Sequence, residues 1–582
     1  MTQTPAVAEQ SHQKGRKLES VRIPMRDGVH LVSDVYLPEA EGCYPAIFTA
    51  TPYNRKVGGT YPASIRYWTD HGYAVIVADT RGSYDSDGET GFMIPDGNDN
   101  YDAIEWIAVQ LWADGMVGMM GASYAGTNQW MAAKNCPPSL KCIVPSDSVG
   151  RFMEELPRNG GAFKTRWAIE WLQLVKTDGK LGSTVEPKVL LPHRPLRTVD
   201  ELVTGEPIKL FREIVDHDTL DHYWQQIQFT DADFQRIDIP SLAFTGWFNG
   251  TLPGTAFYYQ GMQSHSAARN DQFLVIGPWE HATASDGGHS HSGAPVTTVG
   301  DLAFPDHAFL PANEMTRAFY DWCLKKGPRP EYPSACVYIT GSDQWLSLPS
   351  YPHPKTVMRE MYLHSDGQAS LAAHTGGLDW TKPGDEPPDH FVYDPGDPVP
   401  ESVIRDGKAF RLQSMPVDLR QVQDRADVLV YETEPLAEPL TILGNVRLML
   451  EASTSALDTD FTSHIADVHP DGRAIKLGPQ SGAIIRARYR QGFDRARLMT
   501  PGKPESFALD YFDIGHTFMA GHRLRISITS SNFPWISANP NTGNPIGSDT
   551  APPQRAHQTI YHDSQRPSRL LLPVIATPEA GQ

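Results

Sequence analysis

The chain has 582 residues, 40% of them apolar and 20% charged, with a formal charge of −19. That length exceeds what a single core holds and predicts two or three domains. The acidic balance is spread along the chain, which argues against nucleic-acid binding. The five scattered cysteines contain no Cys-x-x-Cys pair, so neither a disulfide framework nor a zinc site is suggested.

The N-terminal stretch is polar and lacks an apolar h-region, so a signal peptide is not expected. No run reaches the length of a transmembrane helix. A cytoplasmic protein with a disordered tail over residues 1–19 is the expectation. From Ser20 the sequence becomes strand-like. Val21–Pro24 and Val29–Pro38 alternate around Asp27-Gly28, the chemistry of a hairpin turn. Ala46–Ala50 and Tyr73–Ala78 are continuous apolar runs of the kind found in buried parallel strands, joined by a helix near Ala63–His71. From Asp99 to Ala113 the residues Ile104, Ile107, Ala108 and Leu111 recur with helical spacing.

Met116–Met120 then runs into Gly121-Ala122-Ser123-Tyr124-Ala125-Gly126, and a helical stretch, Tyr124–Lys134, runs out of it. A serine on such a strand-to-helix turn is held in strained backbone and projects above the sheet, where it can act as a nucleophile. Cys142–Val144 is a further buried strand. The β-α-β-α succession implies a parallel sheet, whose active site falls at the carboxyl ends of strands.

Residues 20–148 are read as the first part of this domain, 149–238 as an inserted helical cap, and 239–328 as its second part. Ser241–Thr245 and Phe273–Ile276 resume the sheet, Asn313 is expected to cap a closing helix, and Lys326–Pro330 reads as a linker. Over 334–577 the period changes to two: Val446-x-Leu448-x-Leu450, Phe507-x-Leu509-x-Tyr511 and Leu524-x-Ile526-x-Ile528 predict a β-sandwich of jelly-roll or immunoglobulin-like form. Pro470-Asp471-Gly472-Arg473 supplies one of its hairpins.

A serine nucleophile needs a base, an orienting group and oxyanion donors, and on a parallel sheet of the α/β-hydrolase kind they follow in the order Ser, acid, His. His281 follows the strand Phe273–Ile276 through Gly277-Pro278-Trp279-Glu280. The loop Gly246-Trp247-Phe248-Asn249-Gly250 follows the strand before it.

At this point the residues resemble the cocaine esterase-like hydrolases, a group that also includes α-amino-acid ester hydrolases, glutaryl-cephalosporin acylases and X-Pro dipeptidyl peptidases. The marks are Met25-Arg26-Asp27-Gly28, Thr51-Pro52-Tyr53, Asp79-Thr80-Arg81-Gly82, Gln110-Leu111-Trp112, Gly121–Tyr124, Gly277–His281 and Gly521-His522-Arg523-Leu524-Arg525. The resemblance implies an α/β-hydrolase domain with a helical cap and a C-terminal jelly roll. It also implies Ser123 as nucleophile, His281 as base, and the Tyr53 hydroxyl with the Tyr124 backbone N–H as oxyanion hole. A phenol stays protonated at neutral pH and can donate to a developing oxyanion.

Resembling enzymes carry aspartate where this chain has Asn249. An amide holds an imidazole but supplies no charge and can favour the wrong tautomer, a change that costs a serine protease roughly four orders of magnitude in turnover. Asn249 acting as a neutral orienter, a carboxylate supplied by Asp147 after the Cys142–Val144 strand, and a weak or inactive enzyme are the three readings. The expected activity is hydrolysis of a small-molecule ester or amide through an acyl-enzyme, without cofactor or metal. Acyl transfer and a ligand-binding pseudoenzyme are the alternatives. No nucleic-acid or membrane partner is expected, and a homo-oligomer is left open.

Weaker clusters are Glu154-Glu155, read as solvated cap residues or, with Asp147, an acidic pocket for a substrate amine. Asp458-Thr459-Asp460 is read as structural, and His289 and His291 as parts of a loop near the site.

Overall fold

The computed structural model describes residues 16–58, 62–176, 185–281, 283–290, 293–371, 375–401, 404–405, 408–409, 416–478 and 482–576. His291, most of the expected N-terminal tail and residue 577 lie outside them. Among the described residues no helix is long and apolar enough to cross a membrane.

A ten-stranded sheet organises the first domain. Its strands are β1 (Arg16–Pro24), β2 (His30–Leu37), β3 (Tyr44–Thr51), β4 (Ala74–Asp79), β5 (Ala113–Ala122), β6 (Leu140–Ser146), β7 (Ser241–Gly246), β8 (Gln272–Gly277), β9 (Ala335–Ile339) and β10 (Gln344–Leu348). They lie in the order β1-β2-β4-β3-β5-β6-β7-β8-β9-β10. Pairing is parallel from β4 across to β9 and antiparallel at both edges. Every residue of β4, β7 and β8 is buried, which is why their sequences run apolar without alternation. The helices α1 (Pro62–Asp70), α2 (Asp96–Ala108) and α3 (Tyr124–Lys134) make the crossovers.

Four boundaries differ from the sequence reading. β1 already begins at Arg16, so residues 16–19 are strand rather than tail. α2 stops at Ala108, because the chain must turn at Gln110 to begin β5 at Ala113. The closing helix runs Ala312–Lys325 with Pro311, not Asn313, at its N-cap. Most consequential, β9 and β10 follow the expected linker yet extend the hydrolase sheet, β9 in parallel register with β8. The first strand of the sandwich's own sheet is Val357–His364.

The cap packs over the carboxyl ends of these strands. Its helix α4 (Thr165–Lys176) stacks Trp167 on Trp171 and Trp171 on Tyr124, with ring centroids 5.6 and 6.5 Å apart. In the C-terminal domain the strand Leu440–Thr454 pairs along its length with Glu505–Phe518. Val446, Leu448, Leu450, Phe507, Leu509, Tyr511, Leu524, Ile526 and Ile528 share one core. The domain is a β-sandwich built mostly of antiparallel strands. Asp458 and Asp460 are structural here: each buried carboxylate binds an arginine, Arg488 and Arg486, at 2.8 Å, and Asn539 bridges the two.

Candidate active site

Ser123 sits between β5 and α3 with φ 61° and ψ −119°. That left-handed conformation is costly for a non-glycine residue and persists only where the surroundings enforce it. Its N–H donates to the Ser146 carbonyl at 3.0 Å, and its own carbonyl accepts from Gly126 and Thr127. Gly126 is required: a Cβ there would lie 2.1 Å from the Ser146 carbonyl oxygen. This close approach presses α3 onto β6 and leaves the Tyr124 N–H at the first turn of the helix, beside the serine.

Tyr53 follows β3, and its phenol is hydrogen-bonded to Ser123 and accepts from Trp171 Nε1 at 3.3 Å. Burial raises the phenol above its ordinary pKa, so it remains protonated and can donate. The loop carrying it is pinned two residues on. Arg55, fully buried, binds Asp79 at the end of β4 through both its backbone N–H and its guanidinium, and reaches Asp34 at 3.3 Å. The Thr51–Tyr53 and Asp79–Gly82 segments are thus two sides of one ion-paired junction.

The base and its partners come from β6, β7 and β8. Gly246 lets the last two loops meet, since a Cβ would fall 2.1 Å from the Trp279 carbonyl oxygen. His281 Nδ1 lies 3.1 Å from Asn249 Oδ1. The same oxygen accepts from the Thr251 backbone N–H at 3.0 Å and from its hydroxyl at 2.9 Å. A backbone N–H only donates, so the oxygen end of the Asn249 amide is the end facing His281. His281 must then carry its proton on Nδ1, which leaves Nε2 as the basic nitrogen towards the cavity.

The amide nitrogen of Asn249 donates to Asp147 Oδ1, and Asp147 Oδ2 lies 3.9 Å from His281 Nδ1. Asp147 is fully buried, adopts φ 53°, and donates its N–H to the Phe244 carbonyl at 3.0 Å. Asn249 therefore stands between a carboxylate and the imidazole rather than replacing the carboxylate. Burial pushes Asp147 well above the usual carboxylate range, opposed by the nearby Thr245 hydroxyl and the hydrogen bond from Asn249. Burial pushes His281 down to about 4, so the imidazole is neutral at rest.

Ser123, Tyr53, Tyr124, Asn249 and His281 line one cavity of about 260 Å³, with Phe92, Trp167, Trp171, Trp535, Lys164 and Glu170 among its other walls. Asp147 stands behind it. The sequence reading missed Thr251, which fixes the amide, and Trp171, which holds the phenol. It also missed Lys164, a buried lysine that burial lowers to about 8. An Asn-x-Thr turn is a signal that could have found Thr251. Trp171 and Lys164 lie in the cap, where no local pattern points at the site.

Glu154 and Glu155 do not form an amine pocket with Asp147. Glu155 is not solvated; it is fully buried and accepts from the Gly150, Arg151 and Gly254 N–H groups at 3.1–3.2 Å. Glu154 pairs with Arg151 and lines a different cavity. His289 bonds the Asp286 carbonyl at 3.0 Å and lies outside the cavity lined by Ser123.

A strained serine at the end of a central parallel strand, a neutral histidine in the required tautomer and a buried phenol beside the serine define a serine hydrolase on the α/β-hydrolase fold. Residues 27–283 match the X-Pro dipeptidyl-peptidase (S15) family, and residues 331–571 match the X-Pro dipeptidyl-peptidase C-terminal non-catalytic domain. The chain is 32% identical to the cocaine esterase of Rhodococcus sp. over 96% of its length and 98% of that protein's. An α-amino acid ester hydrolase of solved structure superposes with a TM-score of 0.82, at 27% identity and 98% coverage of each chain. An aminopeptidase from a marine sediment archaeon, Thaumarchaeota archaeon, superposes at 0.84 with 24% identity over 99% of each chain, a likeness of fold. The chain belongs to the cocaine esterase-like branch of the S15 serine hydrolase family.

Proposed function

We propose that the protein is an esterase for small carboxylic esters with a bulky apolar or aromatic group, working through an acyl-enzyme on Ser123. The observation that carries this reading is the hydrogen bond between Ser123 and the Tyr53 phenol, inside an aromatic-walled cavity that also holds His281. His281 Nε2 takes the Ser123 proton as Oγ attacks the ester carbonyl. The oxyanion forms between the Tyr53 hydroxyl and the Tyr124 N–H, donors already in place before reaction. His281 then passes its proton to the departing alkoxide, and water activated by the same nitrogen releases the acid.

Asp147 and Asn249 act in series. Asn249 sets the tautomer, and Asp147 holds Asn249 and supplies negative charge opposite the imidazolium. A carboxylate ionised before the reaction begins stands 3.9 Å from the imidazole and stabilises the imidazolium once it forms. The ester activity in the relatives' names supports this reading, and no carboxylate arrangement for a peptide N-terminus is built from Glu154-Glu155. Stopped-flow hydrolysis of p-nitrophenyl benzoate should give a burst of about one equivalent of p-nitrophenol per enzyme, absent in Ser123→Ala. Equal turnover by that variant would rule the assignment out.

A further inference from the structure

The β-sandwich holds a cluster that the hydrolytic reaction does not use. The strands Asp460–Val468 and Arg523–Thr529 are antiparallel, with Asp467 opposite Leu524 and Val468 opposite Arg523. Continued by one residue, that register sets His469 opposite His522. Asp467 and His469 are two residues apart and share one side of the ribbon. Ligand atoms of Asp467, His469 and His522 all fall within 4.8 Å of one another. His522 Nδ1 is 2.9 Å from Asp467 Oδ1, and His469 Nε2 is 3.7 Å from Asp467 Oδ2. Around a tetrahedral zinc ion with bonds of about 2.0–2.1 Å, neighbouring ligand atoms sit about 3.3 Å apart, between these two distances.

We infer that Asp467, His469 and His522 form a binding site for a zinc-class divalent metal ion. Two features beyond spacing argue for it. The carboxylate is held from behind: Asp467 Oδ2 bonds His516 Nε2 at 3.3 Å, and His516 Nδ1 bonds the Thr340 hydroxyl at 2.8 Å. Supporting hydrogen bonds of this kind orient ligands and raise metal affinity. Finally, the imidazoles are partly open, His469 with 23% and His522 with 15% of their side chains exposed, so an ion has a way in and a fourth position for water.

Thr340 directly follows β9 of the hydrolase sheet, and its N–H and carbonyl bond the Gly515 carbonyl and the Thr517 N–H of the sandwich. An ion bound by Asp467 would stiffen this seam between the two domains. The site shares no residue with the catalytic cavity, and its test is independent of the esterase reading.

Full-length protein stripped with a chelator should be titrated with zinc chloride by calorimetry, and with cobalt chloride while following visible absorption. One tight equivalent, a tetrahedral cobalt band and a zinc-dependent rise in Tm are expected. The ring of His469 lies tilted against His522 with centroids 4.6 Å apart, and its side chain makes no hydrogen bond among the described residues, so His469→Ala should fold. That variant should lose affinity by more than the roughly 10–100-fold typical of changes to supporting groups, together with the cobalt band and the Tm rise. Binding of unchanged affinity in His469→Ala, or no stoichiometric binding to the parent protein, would overturn the site.

Discussion

Replacing Asp147 by asparagine separates its two proposed roles. The amide oxygen of Asp147→Asn can still accept from Asn249 Nδ2, so the tautomer and position of His281 are kept. What is lost is the charge 3.9 Å from His281 Nδ1. Two unit charges at that distance attract by about 4 kcal/mol at an effective dielectric of 20 and by about 1 kcal/mol in bulk water. A standing carboxylate attracts the imidazolium but not the neutral ring, so nearly all of that difference falls on the transition state. It corresponds to a loss of about 10- to 1000-fold in kcat, with little change in KM. Asp147→Ala also removes the anchor of Asn249 and should lose more. Steady-state kinetics on a p-nitrophenyl ester at pH 7.5, with circular dichroism to establish folding, make the comparison. A folded Asp147→Asn within twofold of the parent kcat would show that no charge acts on His281, and the reasoning would fail.

Tyr53→Phe removes one of two oxyanion donors and should cost about 10²–10³ in kcat, most of it outside KM, measured on the same ester. The acid limb of kcat/KM should lie below the ordinary histidine pKa of 6.5. The active form of His281 is neutral, burial lowers its pKa to about 4, and activity is lost only as pH falls through that lowered value. A limb at or above 6.5 in a pH–rate profile would contradict this. Gly126→Ala drives a methyl group to within 2.1 Å of the Ser146 carbonyl oxygen, a backbone atom that cannot swing aside. A loss of at least about 1–3 kcal/mol in denaturant unfolding is expected, together with loss of activity as α3 is pushed from β6.

Much of the site was legible because its chemistry is written at strand ends. Ser123, Asn249 and His281 each follow a short apolar run, and the order of those runs places them at one edge of a parallel sheet. Asp147 was legible for the same reason, as a residue just past β6. What no sequence pattern conveys is that Asn249 and Asp147 are bonded to each other. The choice between them dissolves in three dimensions, because Thr251 turns the amide so that its oxygen faces the histidine. The cap residues were opaque: Trp171 has ordinary helical spacing, and its bond to Tyr53 spans 118 positions. Lys326–Pro330 has linker composition, although the hydrolase sheet continues beyond it through β9 and β10. Edge strands added after a helix carry no mark of which sheet they join. The Asp467, His469 and His522 cluster was hidden likewise, since it depends on strand register rather than on a local motif.

The central claim is that Ser123 is the activated nucleophile of this chain. Incubation of the native protein with a fluorophosphonate, followed by intact-mass and peptide mass spectrometry, tests it directly. A single adduct on the peptide containing Ser123, absent after unfolding and absent in Ser123→Ala, is the predicted result. No adduct on the folded protein, or one at a different residue, would contradict it.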